Sequence, residues 1–378
     1  MVKIYLVRHC ESEGNACRRA QAQFNGLVTE KGYQQSEYLR QRFSGIHLDA
    51  VYSSDTYRSY VTAKPIADER NLPIRLRMLL REITTGVWED MAWGDIPVLY
   101  PKEHAVWETT PWNLVTPGGT TFQQAAERGI EGIRRIAAEV GDGAALVVSH
   151  SCTIKAMLCR LDGQPMSEVK QYGHGDNTSI NELEVASDGT VKILRMGDSD
   201  HLPPGFQRAW SGVAGADVNM HMEPFDPESA ADMQDYLNFR RQYAAEHNEA
   251  FDEASCKEEA VLRGSQKRGN IAFSVLRGKR CGFVELDEDR ETAAGDTGIL
   301  KRHCILPELQ GKGYSDQLLG YAIHTFRFRD KHTLAIPMPV TPEDEAVAHR
   351  FRADRKQGAP KFLLLNMDVP ALPEPILA

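Results

Sequence analysis

Two short apolar runs in the first half of the chain each end on a histidine: Tyr5-Leu6-Val7-Arg8-His9 and Leu146-Val147-Val148-Ser149-His150. Segment 3–7 alternates and is β-branched, which predicts a strand, and residues 144–149 read as a buried strand. Around them, residues 29–43, 56–70, 121–140 and 152–161 carry helical patterns, and Leu48 to Ser53 reads as another strand. Alternating strands and helices imply an α/β layer fold with a largely parallel sheet. In such sheets ligands bind beyond the carboxyl ends of the strands. His9 and His150 each end a strand, and Arg58 begins the helix after the second strand, so all three reach one crevice. Residues 180–196 read as a closing pair of strands around Ser187-Asp188-Gly189.

An Arg and a His side by side at the end of a buried strand are costly unless an anion sits on them. A guanidinium holds a phosphoryl group through paired, charge-assisted hydrogen bonds. A neutral imidazole attacks phosphorus and forms a covalent intermediate. Neighbouring Arg charges disfavour the imidazolium, which keeps the nucleophile available near neutral pH. A nearby carboxylic acid protonates the departing alkoxide and then activates water. Glu82 supplies that acid, with Glu89 and Asp90 as alternatives close by in sequence.

Five spaced stretches carry a resemblance: LVRHCESEGN, LVTEKGYQQSEYLRQRF, VYSSDTYRSYVTAKPIA, LREITTGVWED and LVVSHSCTIKAML. In order and spacing, the segment from Lys3 to about Leu202 resembles the histidine phosphatase superfamily, with its three-layer, phosphoglycerate mutase-like fold. The resemblance implies that His9 is the phosphate acceptor. Arg8, Arg58 and His150 then hold the phosphoryl group, Asn15 contributes at the loop or caps a turn, and Glu82 is the proton donor. No cofactor is implied for this half. The implied substrate is a small phosphorylated metabolite.

Three departures stand out. Cys10 and Ser151 replace the glycines that the family places after its two histidines, and both add bulk where backbone lies close to the anion. Pro117-Gly118-Gly119-Thr120-Thr121 lacks the carboxylate of the family's Pro-Gly-Gly-Glu-Ser stretch, and the segment from Glu82 to Thr121 is short for a glycolytic mutase. A phosphatase is therefore expected ahead of a phosphomutase. Specificity is expected from the irregular stretch 84–120, whose Trp88, Trp93, Trp107 and Trp112 line a pocket or pack a lid. Cys10 and Cys152 are read as small buried fillers in preference to a redox pair.

Residues 203–217 are rich in linker residues. Beyond them, strands are expected near 219–224, 271–277, 281–286, 297–306, 333–338 and 361–368. Helices are expected over 228–247, 316–328 and 343–356, with an irregular Pro-rich tail from Pro370. The stretch Gln310-Gly311-Lys312-Gly313-Tyr314-Ser315 lies between a strand and a helix, where glycines bring backbone N–H groups close to an anion. It resembles the loop by which GNAT acyltransferases bind the pyrophosphate of acetyl-CoA, with Gln310, Gly313 and Ser315 at the signature positions. The resemblance implies an α+β GNAT-like unit over 218–369 that binds acyl-CoA. The Tyr acid that the family often carries is missing, and Glu285 and His303 are candidate bases only by strand placement. A structural or dimerising role competes with a transferase, and so does a CoA-binding regulatory protein whose phosphatase site has lapsed.

The 378 residues suit two domains, 1–202 and 218–369, joined by the linker 203–217 and followed by a tail 370–378. A formal charge of −9 argues against general binding to nucleic acid or an anionic membrane. Seven cysteines without paired C-x-x-C spacing point to a reducing cytoplasm and no zinc site. No signal peptide and no apolar run of membrane-spanning length is read.

Overall fold

The computed structural model describes residues 1–207, 215–288, 295–353 and 362–374. The N-terminal half runs β1 (Val2–Arg8), α1 (Glu13–Ala16), α2 (Glu30–Phe43), β2 (Ala50–Ser53), α3 (Tyr57–Glu69), β3 (Ile74–Leu76), α4 (Ile96–Leu99), α5 (Pro101–Thr109), α6 (Phe122–Val140), β4 (Gly143–Ser149), α7 (Ser151–Leu161), β5 (Ile180–Val185) and β6 (Val191–Asp198). Its sheet has the order β3-β2-β4-β1-β5-β6. β1 to β4 pair in parallel, and β5 and β6 close the edge antiparallel.

Alternation along β1 explains the layers, because successive side chains point to opposite faces of a sheet. Val2, Ile4 and Leu6 pack with Ile130, Ile133 and Ile136 of α6 and Ile154 and Met157 of α7. Tyr5 and Val7 pack on the other face with Leu39 and Phe43 of α2 and Ala63 and Ile66 of α3. Helix boundaries follow local chemistry: Thr29 and Thr121 cap α2 and α6 by accepting from Gly32 N and Gln124 N. The expected three-layer α/β arrangement is present.

The C-terminal half contains β7 (His221–Pro224), α8 (Ala230–Glu246), α9 (Glu253–Gln266), β8 (Ile271–Leu276), β9 (Lys279–Glu288), β10 (Thr297–Ile305), α10 (Ser315–Phe328), β11 (Thr333–Pro337), α11 (Pro342–Ala348) and β12 (Phe362–Asn366). These strands form a second mixed sheet, β12-β11-β10-β9-β8-β7, in which only β10 and β11 run parallel. α10 packs on one face, and α8 with α9 on the other. The sequence reading missed α9, where only Cys256 and Ala260 are buried, so its apolar stripe is too thin to register. The polar helix expected over 343–356 ends at Ala348, and its last expected residues lie outside the described ones. So does much of the expected linker, 208–214, and the end of the tail, 375–378.

The halves meet at α1 and α10. A Cβ added at Gly320, inside α10, would lie 2.5 Å from Cys17 Cβ. Gly320→Val should therefore lower stability by roughly 1–3 kcal/mol through overpacking. Thermal unfolding of the full chain reads this as a lower Tm; an unchanged Tm would mean the helices do not pack at this point.

Candidate active site

β1 and β4 are adjacent and in register, with Arg8 opposite Ser149, so the next residues of both strands leave the sheet together. The His9 and His150 rings lie 5.2 Å apart between centroids. His9 Nδ1 is 2.7 Å from the Cys10 carbonyl. A carbonyl only accepts, so Nδ1 carries the proton and a neutral His9 presents its lone pair at Nε2. Burial, then the charges of Arg58 and Arg8, hold the His9 pKa well below the ordinary value. His150 is lowered in the same way, by burial first and then by Arg58. Arg58 donates to His150 Nδ1 at 3.1 Å, which puts the His150 proton on Nε2, 2.9 Å from Ser54 Oγ.

Arg58 is 1% exposed. It donates to the carbonyls of Phe24 (3.0 Å) and Ala22 (2.7 Å), while its buried Nε has no hydrogen-bond partner among the described residues. Burial lowers its pKa to about 10. Arg8 donates to the Gly175 carbonyl at 2.6 Å. Asn15 stands at the start of α1. Its Oδ1 accepts from Ser12 N and caps α1, and the residue also lines the cavity.

Glu82 lies under the first turn of α7. One carboxylate oxygen accepts from Ile83 N (2.9 Å), Thr153 N (2.8 Å) and Thr153 Oγ1 (3.0 Å), the other from Cys152 N (3.0 Å). The alternative acids are elsewhere. Glu89 accepts from Ala22 N and Phe24 N, and Asp90 pairs with Arg19 and His324. Of the three, only Glu82 lines the cavity, a space of about 270 Å³ that also takes in Arg8, His9, Asn15, Arg18, Trp93, Trp107, Ser151 and His174.

Cys10 leaves the cavity unchanged. Its Sγ lies 3.7 Å from the Arg58 carbonyl among Val28 and Val61, and its N–H donates to Thr62 Oγ1. Burial pushes the Cys10 thiol up to about 11 and the Cys152 thiol up to about 12, so neither is a thiolate near neutral pH. Ser151 does alter the cavity: its Oγ is 2.6 Å from His174 Nδ1, and Lys155 donates to His174 Nε2 at 3.3 Å. The tryptophans divide, with Trp93 and Trp107 stacked at the cavity wall and Trp88 fully buried beneath them. Sequence reasoning missed Asn177, whose Nδ2 donates to the His9 carbonyl at 2.9 Å. It sits in an irregular Gly- and Asn-containing turn that carries no periodic signal.

In the second half, the Gln310–Ser315 loop holds carboxylates of its own chain. Gly311 N donates to Glu343 at 2.8 Å, the Ser315 hydroxyl bonds the other Glu343 oxygen, and Gln310 donates to Glu246. Gly311 and Gly313 have φ of +70° and +80°, a conformation suited to glycine. Lys312 donates to the Glu308 carbonyl, and Tyr314 to the Asp217 carbonyl. Glu285 is fully buried against Arg240, Arg263 and Arg302. His303 is buried, with Nε2 3.5 Å from Asp344. Among the described residues, no group of three or more His, Cys, Asp or Glu is placed to hold a metal ion. Nor is any helix long and apolar enough to cross a membrane.

His9 and His150 make stability depend on pH. Unfolded, each titrates near about 6.5, and the folded values lie well below that. The unfolded chain therefore binds more protons below that pH. The contribution is full above about 6.5 and is lost as pH falls through it, at roughly 1.4 kcal/mol per pH unit for each histidine. In urea unfolding between pH 7.5 and 5.5, His9→Asn should lose one histidine's share of this slope relative to wild type; equal slopes would mean that folded His9 titrates normally.

The model of the Histidine phosphatase superfamily (branch 1) matches residues 4–199. Phosphoserine phosphatase 1 of Hydrogenobacter thermophilus is 32% identical over 213 residues, covering 56% of this chain and 100% of that protein. The metal-independent phosphoserine phosphatase of Arabidopsis thaliana is 28% identical over 219 residues, covering 57% and 90%. The solved structure of Bacillus stearothermophilus YhfR superimposes with a TM-score of 0.50 at 27% identity, over 53% of this chain and 99% of that one. These matches fall on the half that carries the paired histidines, and on the family match the chain belongs to the histidine phosphatase superfamily, branch 1.

Proposed function

We propose that the N-terminal unit, residues 1–202, hydrolyses small phosphomonoesters through a phosphohistidine at His9. The observation that carries this reading is the Nδ1–H bond from His9 to the Cys10 carbonyl, which leaves a lone pair at Nε2 beside Arg58 and His150. Nε2 attacks phosphorus, and the bond from phosphorus to the ester oxygen breaks with its electron pair going to the alcohol. Glu82 gives that oxygen a proton. Glu82 then takes a proton from water as the water attacks the phosphohistidine, releasing inorganic phosphate and restoring the imidazole. Arg8, Arg58, His150 and Asn15 neutralise and orient the phosphoryl oxygens, which is most of what phosphoryl transfer requires. The seven cysteines are free and buried, in keeping with a reducing cytoplasm.

Phosphate release from 4-nitrophenyl phosphate should vanish in His9→Ala. It should fall 10²–10³-fold in Arg58→Ala, about 3–4 kcal/mol of barrier. Release that survives His9→Ala would rule out the phosphohistidine. Isomerisation of a phosphoglycerate that depends on a bisphosphate primer would instead assign a phosphomutase.

We also infer that residues 218–369 form a GNAT-like unit with an anion site for acyl-CoA at Gln310–Ser315. Two observations favour this. β10 and β11 pair in parallel only over Thr297–Ile299 and Thr333–Ala335, and the pairing of β10 with β9 on its other side shifts register between Leu300 and Arg302. The loop at the end of β10 turns its Gly311 N–H and Ser315 hydroxyl toward an anion, here Glu343. Gln310, Gly311, Gly313 and Ser315 would hold the pyrophosphate, which must displace that carboxylate. Bound acetyl-CoA would supply the acyl group; an amine acceptor and its base are not assigned, since three arginines occupy Glu285. Glu343→Gln should tighten acetyl-CoA binding roughly tenfold, about 1.4 kcal/mol, by isothermal titration. No heat with either protein would reduce this half to a structural or dimerising part.

A further inference from the structure

The family match ends at residue 199, yet a helix beyond it grips the loop that seats Arg58. α10 turns Gly320, His324 and Arg327 toward the N-terminal half, at the spacing that puts residues on one helix face. Gly320 lies against Cys17, and His324 Nδ1 is 2.7 Å from Asp90. Arg327 Nη1 donates to both oxygens of Glu13, at 2.7 and 3.0 Å. Its Nε and Nη2 are fixed on the Met367 carbonyl, at 3.2 and 2.7 Å. Its guanidinium also lies over the Phe24 ring, 5.4 Å from the centroid.

Each of these contacts bears on Arg58. Phe24 is the residue whose carbonyl accepts from Arg58 Nη1, and Ala22 takes Nη2. Glu13 closes the far side of the same stretch. Its Oε2 accepts from Leu27 N at 3.0 Å, and its own N donates to the Leu27 carbonyl at 2.8 Å. Asp90 follows Glu89, the carboxylate that accepts from Ala22 N and Phe24 N. Residues 20–27 form no helix or strand, so side chains from outside decide where their carbonyls point.

We propose that Arg327, from the C-terminal half, is a positioning residue for phosphoryl transfer: it holds Glu13 and Phe24 so that the carbonyls of Ala22 and Phe24 seat Arg58 against His150. The proposal rests on phosphomonoester hydrolysis at His9. A buried guanidinium goes where its acceptors stand, and a misplacement of about 1 Å in a group that orients the reacting phosphoryl lowers the rate by up to about 10²-fold. Arg327 itself touches no substrate and moves no proton. The C-terminal half is then a working part of the phosphatase.

Hydrolysis of 4-nitrophenyl phosphate by the full chain tests this. Arg327→Ala should lower kcat/KM roughly tenfold. That variant leaves Glu13 buried without its cation, so the double variant Glu13→Gln, Arg327→Met is measured beside it. With no charge left unpaired it should stay folded and show the same loss. In an Arg58→Ala background neither change should lower the rate further, because the effect passes through Arg58. His221→Ala breaks a different contact between the halves, with Asp95, and should leave kcat/KM unchanged. An equal second loss in the Arg58→Ala background, or a loss in His221→Ala as large as in Arg327→Ala, would mean general loosening and overturn the proposal. Undiminished activity in both Arg327 variants would overturn it too. Those results leave hydrolysis at His9 intact, whereas a wild type that releases no phosphate would remove that reading and this proposal with it.

Discussion

A nearly fully buried guanidinium, Arg58, sets the terms for the N-terminal half. Its charge must find acceptors inside the protein, because the desolvation of an unpaired cation is prohibitive. The acceptors are the carbonyls of Ala22 and Phe24, in a stretch without regular secondary structure. The amides of the same two residues donate to Glu89. Two residues are thus gripped from both sides, by a cation through their carbonyls and by an anion through their N–H groups. This clamp holds an irregular loop against the site, and it leaves Arg58 turned to His150 with its Nε unmatched among the described residues.

Nearby segments of the N-terminal half are fastened to the C-terminal half by further charged pairs. Glu13, 1% exposed, takes Arg327, and Asp90 is shared between Arg19 and His324. Asp95 accepts from His221 Nδ1 and Met222 N. Removing one member of such a pair leaves a buried charge uncompensated, so these contacts resist separation of the halves. The C-terminal half also reaches the cavity directly, at Gly215 and Asn219, where Asn219 Oδ1 accepts from Arg18 Nε.

Much of this was legible because it is local. Strand period, helix caps and the two strand-ending histidines all reflect interactions within a few residues, and the α/β layers followed from them. Which acid faces the cavity was not local. Glu82, Glu89 and Asp90 lie within nine positions of one another, and only the placement of α7 over Glu82 separates their roles. Cys10 shows the same limit. Its bulk looked like an intrusion on the anion, yet its side chain turns into the small cluster with Val28 and Val61. Asn177 carried no signal, because it acts through hydrogen bonds made by an irregular segment.

The Gln310–Ser315 loop marks where sequence stops deciding. Its glycines and the helix that follows are visible in the sequence, and in the structure the Gly311 N–H and the Ser315 hydroxyl hold a carboxylate. Its occupant comes from elsewhere: Glu343, on the first turn of α11, already satisfies Gly311 N and Ser315 Oγ. A loop that binds a pyrophosphate and a loop that tethers a neighbouring helix by its carboxylate use the same donors. What separates them is how firmly residue 343 is held, and that is decided by Thr341, whose hydroxyl accepts from Asp344 N, and by Asp344, which is tied to His247 at 2.9 Å. The anchoring of α11, rather than the motif itself, sets how firmly Glu343 stays on these donors.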